Sequence, residues 1–192
     1  MQQFHIREAV VFEDILPEVM ASSAMTLTRM RMSLQQMLDD PPEDTSQMKR
    51  TCQEYSAGID DMIEYVRQNR HAKLLTQPLF HWYVHEQSIQ STCWLLDSVM
   101  VKHVIASTFE EDAVRMLQTD VKAASKLFEK SADVRKSAID VLKLWTWCSP
   151  SHELLHTKWH EARREFCLAN RQLATLDVGI SKCSSPTVLF TV

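Results

Sequence analysis

The chain has 192 residues, 45% hydrophobic and 24% charged, a balance that suits one globular domain with its own core. A net charge of −4 without a dominant basic face argues against a nucleic-acid partner, and no apolar run reaches membrane-spanning length. With only 2 glycines, phosphate-cradling and dinucleotide-binding loops are excluded, tight hairpins are disfavoured, and long helices are expected.

At the start, Phe4, Ile6 and Val10 to Phe12 alternate loosely with charges. Residues 1–17 are therefore expected to form a short strand or an extended arm. Glu8, Glu13 and Asp14 interrupt any apolar stretch, so a secretory leader is not expected. Pro17 suits a first helical turn. Beyond it Met20, Ala24, Leu27, Met30, Leu34 and Met37 recur at helical spacing as far as Asp39-Asp40-Pro41-Pro42. This methionine stripe is expected to face the core.

Thr45 or Ser46 is placed to cap a second helix carrying Met48, Cys52, Tyr55, Ile59, Met62 and Val66. Gly58 interrupts it at a cost of about 1 kcal/mol, but the pattern resumes in phase. The basic stretch Arg67 to Lys73 sits where a helix C-terminus favours positive charge. Residues 69–84 break the periodicity and contain Pro78. They are expected to form a loop with an aromatic knot of Phe80, Trp82 and Tyr83.

A third helix is predicted over about 86–108. Ile89, Cys93, Leu96, Met100 and Val104 form its seam, which Trp94, Val101 and Ile105 widen enough to imply burial on more than one side. Glu110, Glu111 and Asp112 favour a helix start. From there a stripe through Ala113, Leu117, Val121, Ala124, Leu127, Phe128, Val134, Ala138, Ile139 and Leu142 is expected to run unbroken to about Cys148.

Ser149 and Pro150 then open the last helix. Its expected buried seam is Leu155, Trp159, Ala162, Phe166, Ala169, Leu173 and Leu176. Gly179 offers a stop, and 178–192 reads as a flexible tail. The fold class is all-α: an elongated antiparallel bundle or solenoid of about five long helices, with residues 18–177 as the domain. Such an array leaves one apolar layer uncovered, so self-association or a bound partner is expected. The hydrophobic end Phe190-Thr191-Val192 admits docking in a PDZ groove, although a disordered end is the plainer expectation.

Five cysteines are present: Cys52, Cys93, Cys148, Cys167 and Cys183. The count is odd and no C-x-x-C pair occurs, so reduced thiols and a cytoplasmic location are expected.

One motif points to chemistry. His152-Glu153-Leu154-Leu155-His156 matches the H-E-x-x-H pattern of helix-borne zinc peptidases. On a helix, His152, His156 and His160 would form a strip beside the seam through Leu155, at its margin or in solvent. A catalytic zinc needs a third ligand from elsewhere, an open water position and a base. Glu153 could be the base. His160 lies in the same row, however, and Asp177 has nothing around it to support a ligand role. The elongated form of the pattern fails, with Trp159 where Gly belongs and Ala162 where His belongs. No strand cluster is predicted to hold a peptide substrate. A Cys93–His103 nucleophile pair is excluded by their ten-residue separation on one predicted helix. The expectation is a chain without catalytic, cofactor or metal sites. A zinc-dependent hydrolase is the alternative.

The order of the pieces carries a resemblance. "MKRTCQEYSAGIDDMIEYV" is followed by "PLFHW", by "STCWLLDSVMVKHVIAS", by "AVRMLQTDVKAASKLFEKSADVRKSAIDVL" and by "WHEARREFCLANRQL". Over residues 18–176 this resembles the N-terminal half of the BRO domain of ALIX-type adaptors in the ESCRT machinery. Phe80 and Trp82 match the family's extended F-x-W segment. Lys122-Ala123-Ala124, Phe128 and Ser131-Ala132 resemble its K-x-A-A-x-x-F-x-x-A-A stretch. Glu161-Ala162-Arg163-Arg164-Glu165 echoes its A-Q-A-Q-E helix, with arginines in place of the two glutamines. The resemblance implies a shortened relative acting as a non-enzymatic, endosome-associated adaptor that binds the C-terminal helix of ESCRT-III charged multivesicular body proteins. The family's site for that helix lies beyond the matched segment, so no partner-binding residue is carried over. A generic helical interaction module is a further alternative.

Overall fold

The computed structural model describes residues 4–7, 10–68, 74–84, 87–144 and 153–182, with backbone only for 178–182. Five helices dominate: α1 (Ala21–Asp39), α2 (Ser46–Gln68), α3 (Trp94–Met116), α4 (Val121–Leu144) and α5 (Thr157–Lys182). They are joined by three strands, β1 (Phe4–Ile6), β2 (Phe80–Val84) and β3 (Gln87–Ser91). Each helix packs on the one before it in the chain, α1 on α2 through to α4 on α5. The all-α reading holds, with a small sheet added.

The first two helices follow the sequence pattern. Ala24, Leu27 and Leu34 are buried on α1, and Met20, Met30 and Met37 lie partly buried against the core. On α2, Met48, Cys52, Tyr55, Ile59 and Met62 form the buried stripe. Gly58 marks the close approach of α1 and α2: a Cβ there would stand 2.7 Å from Cδ2 of Leu27. Leu27 is itself buried, and its side chain would have to turn toward the depression of about 220 Å³ that it lines with Met30 and Met62. The gain in helix propensity for Gly58→Ala is about 1 kcal/mol, and overpacking typically costs about 1–3. The expected net result is a loss of about 1 kcal/mol, checked by urea unfolding. Equal or greater stability in the variant would show that Leu27 adapts freely.

Three expectations are corrected. Residues 80–91 are a hairpin, not the end of a loop and the start of a helix: β2 pairs antiparallel with β3, with Trp82 opposite Ile89, and with β1, with Trp82 opposite Ile6. Phe80, Trp82, Val84 and Ile89 alternate inward with Phe4 and Ile6, so aromatic and β-branched residues at period two build a buried face. The N-terminal segment joins this core through Val10, Phe12, Ile15 and Leu16. The rings of Phe12, Phe80 and Trp94 meet at 5.5–6.4 Å.

Next, α3 and α4 part later than expected: α3 runs on through Glu110–Asp112 to Met116 instead of ending near 108, and α4 starts only at Val121. A turn at Leu117–Thr119 separates them, and Asp120 caps α4 by accepting from the Ala123 N–H at 2.9 Å. Finally, α5 begins at Thr157 and continues through Gly179 to Lys182. Ser149, Pro150, Cys148, Cys183, the tail 183–192 and the basic residues 69–73 lie outside the described residues. No helix among the described residues is long and apolar enough to cross a membrane.

Candidate functional site

The central helix α3 is buried on almost every side, from Leu96 through Ala106. It also carries charged and polar side chains into that environment: Asp97, Ser98, Lys102, His103 and Glu110. Burial of such groups demands partners, and α3 organises three networks to supply them.

The first surrounds Asp97. Its carboxylate accepts from Trp82 Nε1 at 2.6 Å, from the Tyr55 hydroxyl at 2.5 Å, and from Arg31 of α1. Both Arg31 and Asp97 are fully buried. The Arg31 guanidinium lies over the rings of Phe80 and Trp82 at 5.3 and 5.7 Å. Burial opposes its charge, but the Asp97 carboxylate and Tyr55 more than offset this and hold it firmly protonated. Burial, and next Asp97, push the Tyr55 hydroxyl well above its ordinary value, so it remains a donor. In the second network Lys102 donates to Asp60 at 2.6 Å and to Ser56 and Ser98 at 2.9 Å. These two networks tie α1, α2, α3 and β2 together.

The third network underlies a groove. Glu110 of α3 accepts from Ser131 at 2.9 Å, from Arg135 Nη2 at 3.0 Å, and from Arg163 of α5. Burial works to raise the Glu110 carboxyl, but Arg135 and Arg163 prevail and hold it below the usual carboxylate range. Arg135 also donates to His103 Nδ1 at 2.5 Å and stacks on Trp159 at 5.0 Å. Cys167 reaches Glu110 at 3.4 Å, and burial pushes its thiol up to about 11. Burial likewise pushes the Cys52 thiol up to about 12. Neither thiol has the thiolate character a nucleophile needs at neutral pH.

Above this network an open groove of about 730 Å³ runs between α3 and α5, with α4 as its floor. Val114, Phe128, Trp159 and Phe166 supply its apolar lining, and Glu111, Arg115 and Arg163 its polar rim. Val114 and Phe166 are more than half exposed. A second depression of about 920 Å³ lies on the outer face of α1 between Met25, Met32 and Asp39, away from the buried networks.

The residues of the zinc pattern are not arranged as the sequence suggested. Glu153–Leu155 forms a 3₁₀ turn and His156 precedes α5, so the stretch from Glu153 to His156 is not α-helical. His152 lies outside the described residues. Glu153 and His156 are exposed, whereas His160 is completely buried, not at a solvent-facing margin. Its Nε2 donates to the Leu154 carbonyl at 2.8 Å, and its ring packs against His103 and Trp159. Burial, and next Arg135, push it down to about 4, so it is a neutral imidazole. Asp177 lies near the far end of α5, about 26 Å along the axis from His160. Among the described residues no group of three or more His, Cys, Asp or Glu side chains is placed to hold a metal ion. Cys93 sits at the N-terminus of α3, more than two turns from His103.

Sequence reasoning missed the charges that organise the interior: Arg31, Asp97, Glu110 and Arg135. The one signal available was a charge standing inside an apolar stripe. Arg31 lies between Met30 and Leu34, and Arg135 between Val134 and Ala138.

The fold and its networks define a sequential helical array with a small antiparallel sheet, its buried charges paired across helices and a groove lined by three helices beside one of these pairings. Comparison with protein-family models, curated proteins and solved structures returned no match.

Proposed function

We propose that this chain is a non-enzymatic adaptor that seats an amphipathic partner helix in the groove between α3 and α5, and that it acts in ESCRT-linked endosomal sorting. The observation that carries the reading is the groove itself. Its apolar lining stands open over a floor whose charges are already engaged with one another. Glu110 is shared by Arg135 and Arg163, which leaves one net positive charge at the groove, the Cys167 thiol is held protonated, and His160 is held neutral. A partner helix would place apolar side chains at i, i+3 and i+4 on Val114, Trp159 and Phe166, with its polar flank meeting Glu111 and Arg115. The BRO-like order of motifs supports the endosomal setting and makes an ESCRT-III C-terminal helix the first partner to test, while the family's own site for that helix lies beyond the matched segment and the groove is argued from its lining alone.

The test is a fluorescence-anisotropy titration with a labelled ESCRT-III C-terminal peptide. Saturable binding is expected, with affinity reduced at least about tenfold by Val114→Asp, an exposed substitution that leaves the core untouched. Binding unaffected by that change would move the site off the groove. Absence of binding would favour a generic helical module with another partner. Elemental analysis separates the hydrolase alternative: stoichiometric zinc, lost on His156→Ala, would overturn the non-enzymatic reading.

A further inference from the structure

The last helix has two faces of different character. Its inner face buries His160, Cys167 and Ala174, seven residues apart, toward α4. Beyond Trp159 the apolar seam read from the sequence points the other way. Phe166, Leu173 and Leu176 are 53%, 63% and 55% exposed, and Ala162 and Ala169 are exposed beside them. Steps of four and three between these positions give the 3.5-residue period of a helix-to-helix seam. Scattered apolar residues on a surface need no explanation. A row in register along one exposed helix face does.

We propose that this seam is the contact surface of a symmetric dimer, in which α5 lies antiparallel against α5 of a second copy. A two-fold interface requires a patch complementary to itself, and this one is. In the antiparallel register Phe166 meets Leu176 of the second copy in the two outer layers, and Leu173 meets Ala169 in the two inner ones, where large and small side chains interleave. Along the flanks Arg163 faces Asp177, and symmetry makes this attractive pair twice. Arg163 keeps 39% of its side chain exposed while its Nη2 is held by Glu110. Asn170 and Gln172 lie near the axis and face their own counterparts without charge conflict. A parallel alignment would set Phe166 on Phe166 and Ala169 on Ala169, and would bring Lys158 beside Arg163 twice. Volume and charge therefore both select the antiparallel dimer. The exposed row from Phe166 to Leu176 is about 15 Å long. That is short of what an interface of about 1,200 Å² needs, so the dimer is weak and reversible.

Sedimentation velocity on the full chain, from low to high micromolar concentration, tests the proposal. A concentration-dependent monomer–dimer equilibrium is expected. Leu173→Glu should raise its Kd at least about tenfold with unchanged far-UV circular dichroism. Asp177→Lys should weaken it several-fold, most at low salt, by setting two cations against each other. Val114→Asp, in the groove, should leave it unchanged. Mild oxidation of Asn170→Cys should give a disulfide-linked dimer above the wild-type background, and Ala169→Cys should not. A monomer at every concentration, a dimer indifferent to Leu173→Glu, or cross-linking through Ala169→Cys in preference to Asn170→Cys would each overturn it.

Discussion

Asp97→Ala is expected to destabilise the fold by about 3–5 kcal/mol, the range for removing one partner of a buried ion pair. The carboxylate is the only anion bonded to Arg31 among the described residues, and both side chains are fully buried. Its loss strands a guanidinium whose Nε and Nη2 have no hydrogen-bond partner even in its presence and whose Nη1 is left with the Tyr55 hydroxyl at 3.3 Å. It also strands the Trp82 indole N–H and the Tyr55 hydroxyl, which both donate to the same carboxylate. Domains of this size are stable by about 5–15 kcal/mol, so the variant should lie close to unfolding at ordinary temperature. Urea titration followed by circular dichroism measures the shift. Replacing both partners, Asp97→Leu with Arg31→Met, should cost clearly less than Asp97→Ala alone, because no charge remains buried. A loss below about 1 kcal/mol for Asp97→Ala would mean that Arg31 escapes to solvent and the network is not built as described.

The same network explains what was legible in the sequence and what was not. Helical periodicity located α1 and α2 because one face of each meets the core and the other meets water. It failed at 80–91 because the alternation Phe80, Trp82, Val84 is short, follows Pro78, and closes its hairpin without glycine. It placed the break between α3 and α4 too early, at Glu110–Asp112, because acidic residues favour a helix start and the apolar stripe from Ala113 continues in phase across the true turn. Asp120, a residue with strong preference for the N-cap, was the local signal to break there. On α5 the period was right and the expected seam splits: Leu155 ahead of it and Trp159 pack inward, while Ala162, Phe166, Ala169, Leu173 and Leu176 face outward. An apolar row marks a surface that seeks a partner, but does not say that the partner lies in the same fold. Here α5 packs inward through His160 and Cys167 because Glu110, Arg135 and Trp159 provide polar and aromatic company for them. Such pairings join residues separated by 25 to 66 positions. Spacing along one helix carries no trace of them.

Acid sensitivity is the second large effect, and it is centred on His160. The imidazole is buried, donates to the Leu154 carbonyl, and faces Arg135 from α4 and His103 from α3. Burial, and next Arg135, depress it from 6.5 to about 4 in the folded state. The unfolded chain takes up its proton near pH 6.5 and the folded chain only near pH 4. Between those values the unfolded state binds more protons, so stability falls as pH falls. The drop of 2.5 units corresponds to a loss of roughly 3 kcal/mol once pH 4 is reached. Glu110 adds a loss of the same sign, but in a lower window. Arg135 and Arg163 hold its carboxyl below the usual carboxylate range against the effect of burial, so its contribution fades only under more acidic conditions. Burial raises the Glu111 carboxyl, which works with the opposite sign above its ordinary range, so the comparison of wild type with a His160 variant between pH 6.5 and 5 isolates the imidazole. His160→Gln keeps a side-chain N–H for the Leu154 carbonyl and removes the titration. Unfolding free energies from urea titrations at intervals of half a pH unit should slope downward with acid in the wild type and lie flatter in the variant over that interval. Equal slopes would show that His160 is reached by protons in the folded chain and that its neutral form is not what holds α5 against α4.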